Sequence, residues 1–189
     1  MTNEIYWAIA RSTGATALIL LSLSLALGIL TRSGKTYIGI PRITTTSLHR
    51  TSSLLALIFT LIHIVALYLD TYTGLTLTHY IIPFTTPDKA LAYGLGTLAF
   101  DLMLAIAVTG LLRHRLPEKL FHLIHWGAYA CWPAALAHGL SSGSDTGQTW
   151  FLLLTLASIT LVAATAVYRL LPAFTRTSSA PAPAPYTNH

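Results

Sequence analysis

Two pairs of histidines stand out in this chain. His49 and His63 lie fourteen residues apart on one apolar stretch, and His125 and His138 lie thirteen apart on another. Neutral imidazole is the usual axial donor to the iron of a b-type haem. A helix rises about 1.5 Å per residue, so fourteen residues separate two levels by roughly 20 Å. A hydrocarbon core of about 30 Å holds both levels, one near each face. Two such stretches side by side would hang two haem irons one above the other, His49 with His125 and His63 with His138. That is a wire for electrons.

Helical geometry supports half of this pattern directly. Fourteen steps of about 100° fall about 40° short of four full turns, so His49 and His63 share a face. Thirteen steps leave His125 and His138 about 140° apart on an ideal helix. Pro133 lies between them and can kink or rewind the helix. The spacing therefore predicts a distortion around Tyr129–Pro133 that turns His138 toward the other helix. A lone membrane histidine is commonly a packed polar residue, but four at matched depth on two helices argue for ligation. His122, three residues before His125, is a second candidate inner ligand, with an interfacial or propionate-binding role favoured. His79, His114 and His189 read as loop or tail residues.

The elements that must carry these residues are membrane helices. Of 189 residues, 53% are hydrophobic and 9% charged, far below the roughly 25% charge of a soluble domain. Five apolar stretches approach the roughly 20 residues that span a bilayer: Ile5–Leu30, Ser47–Leu69, Ala90–Leu112, Lys119–Leu140 and Thr149–Leu171. The first is too long for a signal-peptide core and should remain as a spanning helix. The expected fold is an all-α membrane protein, a bundle of five transmembrane helices over residues 1–171. After Leu171 the chain turns to Pro, Ala, Ser and Thr, so residues 172–189 read as a disordered cytoplasmic tail.

Charge sets the orientation. Arg32, Lys35, Arg42, Arg50, Arg113, Arg115, Lys119, Arg169 and Arg176 fall on one side, against Arg11 and Lys89 on the other. The positive-inside rule puts the first side in the cytoplasm, with the N-terminus outside and the C-terminus inside. This distribution explains the net charge of +5 without nucleic acid. The single cysteine, Cys131, excludes an intramolecular disulfide and argues against a thiolate cluster. No Gly-rich dinucleotide fingerprint is present, so a flavin or nicotinamide donor is expected to be a separate molecule.

Flat macrocycles need close, unobstructed helices. Gly14 and Gly28 lie fourteen apart on the first stretch, and Gly96 and Gly110 fourteen apart on the third. Ordinary small-residue packing is the competing explanation. Arg50 and Arg113 are candidate partners of inner haem propionates and Arg11 of an outer one. Asp101, near the middle of the third stretch, is expensive there and is expected to face the bundle interior, with a proton path as one option. Trp126, Trp132, Phe59 and Tyr129 are candidates to line the gap between haems. The Asp70–Asp88 connection is semi-apolar and reads as an interfacial segment or a cap on the bundle.

Leu48-His49-Arg50, His63, Leu123-Ile124-His125-Trp126-Gly127-Ala128-Tyr129, Trp132-Pro133 and His138-Gly139 together resemble the ferric reductase-like transmembrane domain. That family includes the membrane cores of ferric reductases and NADPH oxidases and the haem subunit of a bacterial methionine sulfoxide reductase system. Asp70, Pro83-Phe84 and Ser142-Gly143-Ser144-Asp145-Thr146 look like its short, stand-alone bacterial members. The similarity covers roughly residues 7–171. It implies two b haems per chain and electron flow from the cytoplasm outward. The flavin and nicotinamide module of the large reductases has no counterpart here, so ferric iron or oxygen as acceptor does not carry over.

The reading is a multi-pass cytochrome b of the cell membrane, bacterial in type, the haem subunit of a transmembrane oxidoreductase system. Its expected partners are the lipid bilayer, a cytoplasmic flavoprotein reductase or quinol as donor, and an outer redox protein or metal acceptor. Two alternatives stay open: a single-haem quinol-oxidising subunit, and a non-redox packing or proton-conducting subunit built around Asp101 and the histidines.

Overall fold

The helices form where the apolar stretches lie, because a lipid-facing backbone must satisfy its polar groups internally. The computed structural model describes residues 2–32, 41–71 and 73–171. Its elements are α1 (Thr2–Thr31), α2 (Arg42–Leu69), a short α3 (Leu77–Ile81), α4 (Ala90–Leu111), α5 (Glu118–Trp126), α6 (Ala128–Ser142) and α7 (Thr149–Leu170), with a 3-10 turn at Arg113–Arg115. Among the described residues four helices are long and apolar enough to cross a membrane: Asn3–Thr31, Ile43–Leu69, Ala90–Leu111 and Thr149–Leu170. The expected fifth span is divided at Gly127 into α5 and α6. The tail, Lys35 and most of the first loop lie outside the described residues.

A local 3-10 tightening at Gly127, whose backbone stays in the right-handed helical region (φ −54°, ψ −19°), replaces the expected distortion at Tyr129–Pro133. The Gly127 N–H turns back to the Ile124 carbonyl (2.9 Å), while the Gly127 carbonyl starts α6 by accepting from Ala130 (3.0 Å) and Cys131 (2.8 Å). Pro133 sits inside continuous α6, its ring exposed. Membrane helices tolerate such a proline, because neighbouring groups and small local adjustments make good the lost N–H.

α1 is the centre of the bundle. It packs along α2 on one side and against α6 and α7 on the others, while α4 packs on α6. Ala10, Thr13, Leu18, Ser22, Ser24, Leu25, Ala26 and Ile29 of α1 are all buried. Small residues allow this approach, and the hydroxyls they carry are absorbed within helices: Ser22 donates to the Leu18 carbonyl (2.7 Å) and Ser52 to that of Leu48 (2.8 Å). Ala56, Ala99, Met103, Cys131 and Ala134 form the core. The Cys131 thiol points at the Ala99 carbonyl (3.3 Å). Elsewhere large apolar side chains face outward, as a lipid-solvated bundle requires.

The connection between α2 and α4 caps one end of the bundle, one of the two options its sequence leaves open. Thr97 of α4 donates to the His79 carbonyl (2.8 Å), and Gly94 admits Phe84, whose backbone nitrogen would stand 2.6 Å from any Cβ there. Asn3 reaches Thr71 (3.0 Å) at the same end.

Candidate functional site

α2 carries His49 and His63, α5 carries His125 and α6 carries His138. The fold brings them together as two pairs. The His49 and His125 rings lie 6.2 Å apart between centroids with planes at 76°, and those of His63 and His138 lie 6.4 Å apart at 82°. Metal–imidazole bonds of about 2.0–2.1 Å, on opposite sides of one first-row metal, put the centroids roughly 6.3–6.5 Å apart. The His63–His138 pair falls within that range and the His49–His125 pair just below it.

Three of the rings are fixed by backbone. Nδ1 of His49 lies 2.8 Å from the Ser24 carbonyl, Nδ1 of His63 2.7 Å from that of Ala10, and Nδ1 of His138 2.8 Å from that of Ala92. A carbonyl only accepts, so Nδ1 carries the hydrogen and the lone pair is left at Nε2, ready for a metal. The Nδ1 atom of His125 is buried without a partner; Phe121 stacks on its ring at 5.1 Å.

Glycine makes this seating possible. A Cβ at Gly14 would stand 2.9 Å from the His63 ring, at Gly28 3.1 Å from His49, and at Gly96 2.6 Å from His138. The paired spacing predicts room for flat macrocycles at these glycines; the structure seats histidine rings there. Gly110 differs: it is exposed, and a Cβ there would meet nothing within 4 Å.

Serine hydroxyls are the parts that sequence reasoning missed. Ser53 donates to the His49 carbonyl (2.6 Å), so Ser24 donates to Ser53 (2.6 Å) and accepts from Nδ1 of His49 (3.2 Å). Ser142 donates to the His138 carbonyl (2.6 Å) and lies 3.1 Å from its Nδ1. The signal was the helical offset of four: Ser24 precedes Gly28 by four residues, and Ser142 follows His138 by four.

The other candidates are less gathered. Arg11 makes a bidentate ion pair with Asp145 through Nε and Nη2 and lies over the Trp7 ring (4.0 Å), leaving Nη1 for any further anion. Arg113 lies over Phe121 (5.3 Å), and Arg50 is exposed. Asp101 is part-buried on α4, with no hydrogen bond of its carboxyl among the described residues. His122 is 3.4 Å from Glu118 rather than in the His49 pair. Trp132 donates to Ser22 (2.8 Å) and packs by Leu25 and Ile29, whereas Trp126 and Tyr129 are exposed.

Among the described residues no group of three or more His, Cys, Asp or Glu side chains converges on one point. Two imidazoles alone are a poor cage for a bare ion. They fit a metal that brings its own equatorial donors, as haem iron does.

Residues 13–136 match the family model of the ferric reductase like transmembrane component. The chain belongs to this family. The matched span includes His49, His63, His125 and the glycines of both cradled pairs, and it stops two residues short of His138. No curated protein and no solved structure matches the chain significantly. Membership in the ferric reductase-like family points to a membrane domain with a transmembrane electron-transfer role of the cytochrome b type.

Proposed function

We propose that this chain is a two-haem cytochrome b that moves electrons from a cytoplasmic donor to an acceptor outside. The observation that carries the proposal is the doubling: two imidazole pairs from facing helices, each close to the separation at which two rings could share one metal. His49 and His125 would hold the inner iron, and His63 and His138 the outer one. Haem b, when bound, supplies a reversible one-electron couple. The chain supplies the rest. Carbonyls of Ala10, Ser24 and Ala92 orient three rings, Gly14, Gly28 and Gly96 give them room, and the core around Ala56 and Cys131 keeps water from the space between the levels. The N-terminus lies outside and the C-terminus in the cytoplasm under the positive-inside rule.

One feature favours quinol over a flavoprotein as donor. An exposed, largely apolar face of α5, the helix that carries His125, presents Glu118, Lys119, His122, Leu123 and Trp126. Quinol oxidation gives up two protons with two electrons, and His122 with Glu118, 3.4 Å apart, offers proton acceptors there. Anaerobic mixing with a short-chain quinol should reduce the inner haem, and His122→Ala should slow that step; reduction only by a flavoprotein would reassign the donor.

The primary test is haem-to-protein stoichiometry on detergent-purified protein with a dithionite-reduced minus oxidised spectrum. Two b haems per chain are expected, falling to one in His63→Ala or His138→Ala. One haem in the unsubstituted chain would reduce the reading to a single-site subunit, and none in folded protein would refute it.

A further inference from the structure

Three of the four imidazoles are seated by one repeated device. Nδ1 bonds to a helix carbonyl, and the residue four positions further along that helix is glycine: Ala10 with Gly14, Ser24 with Gly28, Ala92 with Gly96. The physics is local. A helix carbonyl already accepts from the N–H four residues on, but keeps a second lone pair. The side chain at that later position leans back toward the helix N-terminus and covers the lone pair. Glycine removes the cover and lets a ring in.

α4 contains the fourth copy of the device, and no ring sits in it; the Thr109 hydroxyl reaches its carbonyl (3.2 Å) only as Thr13 reaches that of Ala10 (3.3 Å) in the seat that His63 fills. Gly110 follows Gly96 by fourteen residues, as Gly28 follows Gly14. The carbonyl four residues before it belongs to Ile106. The space over Gly110 is open, and the one unseated imidazole nitrogen of the set is Nδ1 of His125. The means of joining them is also present. α5 is separated from α6 by the tightened turn at Gly127, and the Gly127 Cβ position lies 3.8 Å from the Ile106 side chain and 3.6 Å from that of Leu102. The pivot therefore rests one turn of α4 from the open seat.

We infer that Gly110 and the Ile106 carbonyl are the positioning site for His125. The inference rests on the two-haem reading above. When the inner haem binds, a small shift of α5 about Gly127 that keeps the His49–His125 spacing brings Nδ1–H of His125 to the Ile106 carbonyl. The outer pair is seated in advance on both sides, whereas the inner pair is seated on the His49 side alone. His125 thus takes its seat through α5, and inner-haem binding is coupled to the position of α5.

Gly110→Ala in the full chain separates the possibilities sharply. At an exposed helix position with open space, alanine favours the helix and leaves the fold intact. If Gly110 is the seat, the variant keeps the outer haem and its potential, while inner-haem affinity falls roughly 10- to 100-fold, as is usual on losing a group that orients a metal ligand. The inner haem's midpoint potential shifts as well, a change that a merely structural role would not produce. A second measurement is independent of that variant. Spin labels at Lys119 on α5 and Leu104 on α4 should change separation between the haem-free and the fully reduced, diamagnetic haem-loaded protein. Wild-type inner-haem affinity and potential in Gly110→Ala would overturn the seat, and an unchanged label separation would overturn the shift. Fewer than two haems in the unsubstituted chain would bring down the two-haem reading and this inference with it.

Discussion

Gly96 lies directly against the His138 imidazole, so that a methyl group at Gly96 would stand 2.6 Å from Nδ1 and 2.7 Å from Cε1. Neither side of this contact is free to yield. The ring is tied to the Ala92 carbonyl, and the glycine is part of α4. Gly96→Ala should therefore unseat His138 at an overpacking cost of about 1–3 kcal/mol. The expected result is loss of the outer haem with the inner one retained, read from haem content and redox titration.

The same substitution should be graded along the set. Gly28→Ala meets His49 at 3.1 Å, where a few tenths of an ångström of give suffices, and Gly14→Ala meets His63 at 2.9 Å. The order of damage to haem binding should be Gly96, then Gly14, then Gly28. Equal effects at all three would show that the contacts do not control seating.

The Arg11–Asp145 pair should hold the α6–α7 turn against α1. The Asp145 side chain is 10% exposed and that of Arg11 30%, so removing one partner strands the other in a poorly solvated place. Asp145→Ala should destabilise the detergent-solubilised protein by roughly 2–3 kcal/mol, with the double change of Arg11→Leu and Asp145→Leu recovering much of the loss. Thermal unfolding of the two variants in parallel decides it; a double variant as weak as the single one would contradict this account.

Cys131 is 1% exposed and lies in the core between the two histidine levels. A maleimide should fail to label it in folded protein and label it fully after denaturation. Ready labelling of the native protein would mean that water reaches the space between the levels.

Orientation is testable without haem. A fluorescent protein that folds only in the cytoplasm, fused after His189, should glow, whereas a phosphatase active only outside should be silent at that position. The reverse pattern would invert the bundle and exchange the inner and outer assignments.

Much of this arrangement is legible in the chain because helices translate spacing into position. Fourteen residues on α2 match fourteen on the antiparallel α1, which is why His63 meets Gly14 and His49 meets Gly28. The extents of α1, α2, α4 and α7 follow the apolar stretches to within a few residues, apart from the earlier starts of α1 and α2. The tightening at Gly127 was not legible, since proline at 133 carries the stronger local signal for a kink while the actual reset depends on how α5 and α6 pack on α4. Arg11 with Asp145 was hidden for another reason. The two are 134 residues apart, and no local pattern links an arginine on α1 to the turn before α7.

The backbone origin of the histidine bonds bears on how this protein can change over generations. The carbonyls of Ala10, Ser24 and Ala92 belong to the main chain, and no codon change deletes a main-chain oxygen. Apart from the donor histidines themselves, inheritance reaches those bonds through the glycines four positions on, where every single-base change that alters the residue adds atoms or introduces a stop. The acceptors of the seating hydrogen bonds are thus sheltered from point mutation, and the vulnerability of each is concentrated in one small codon.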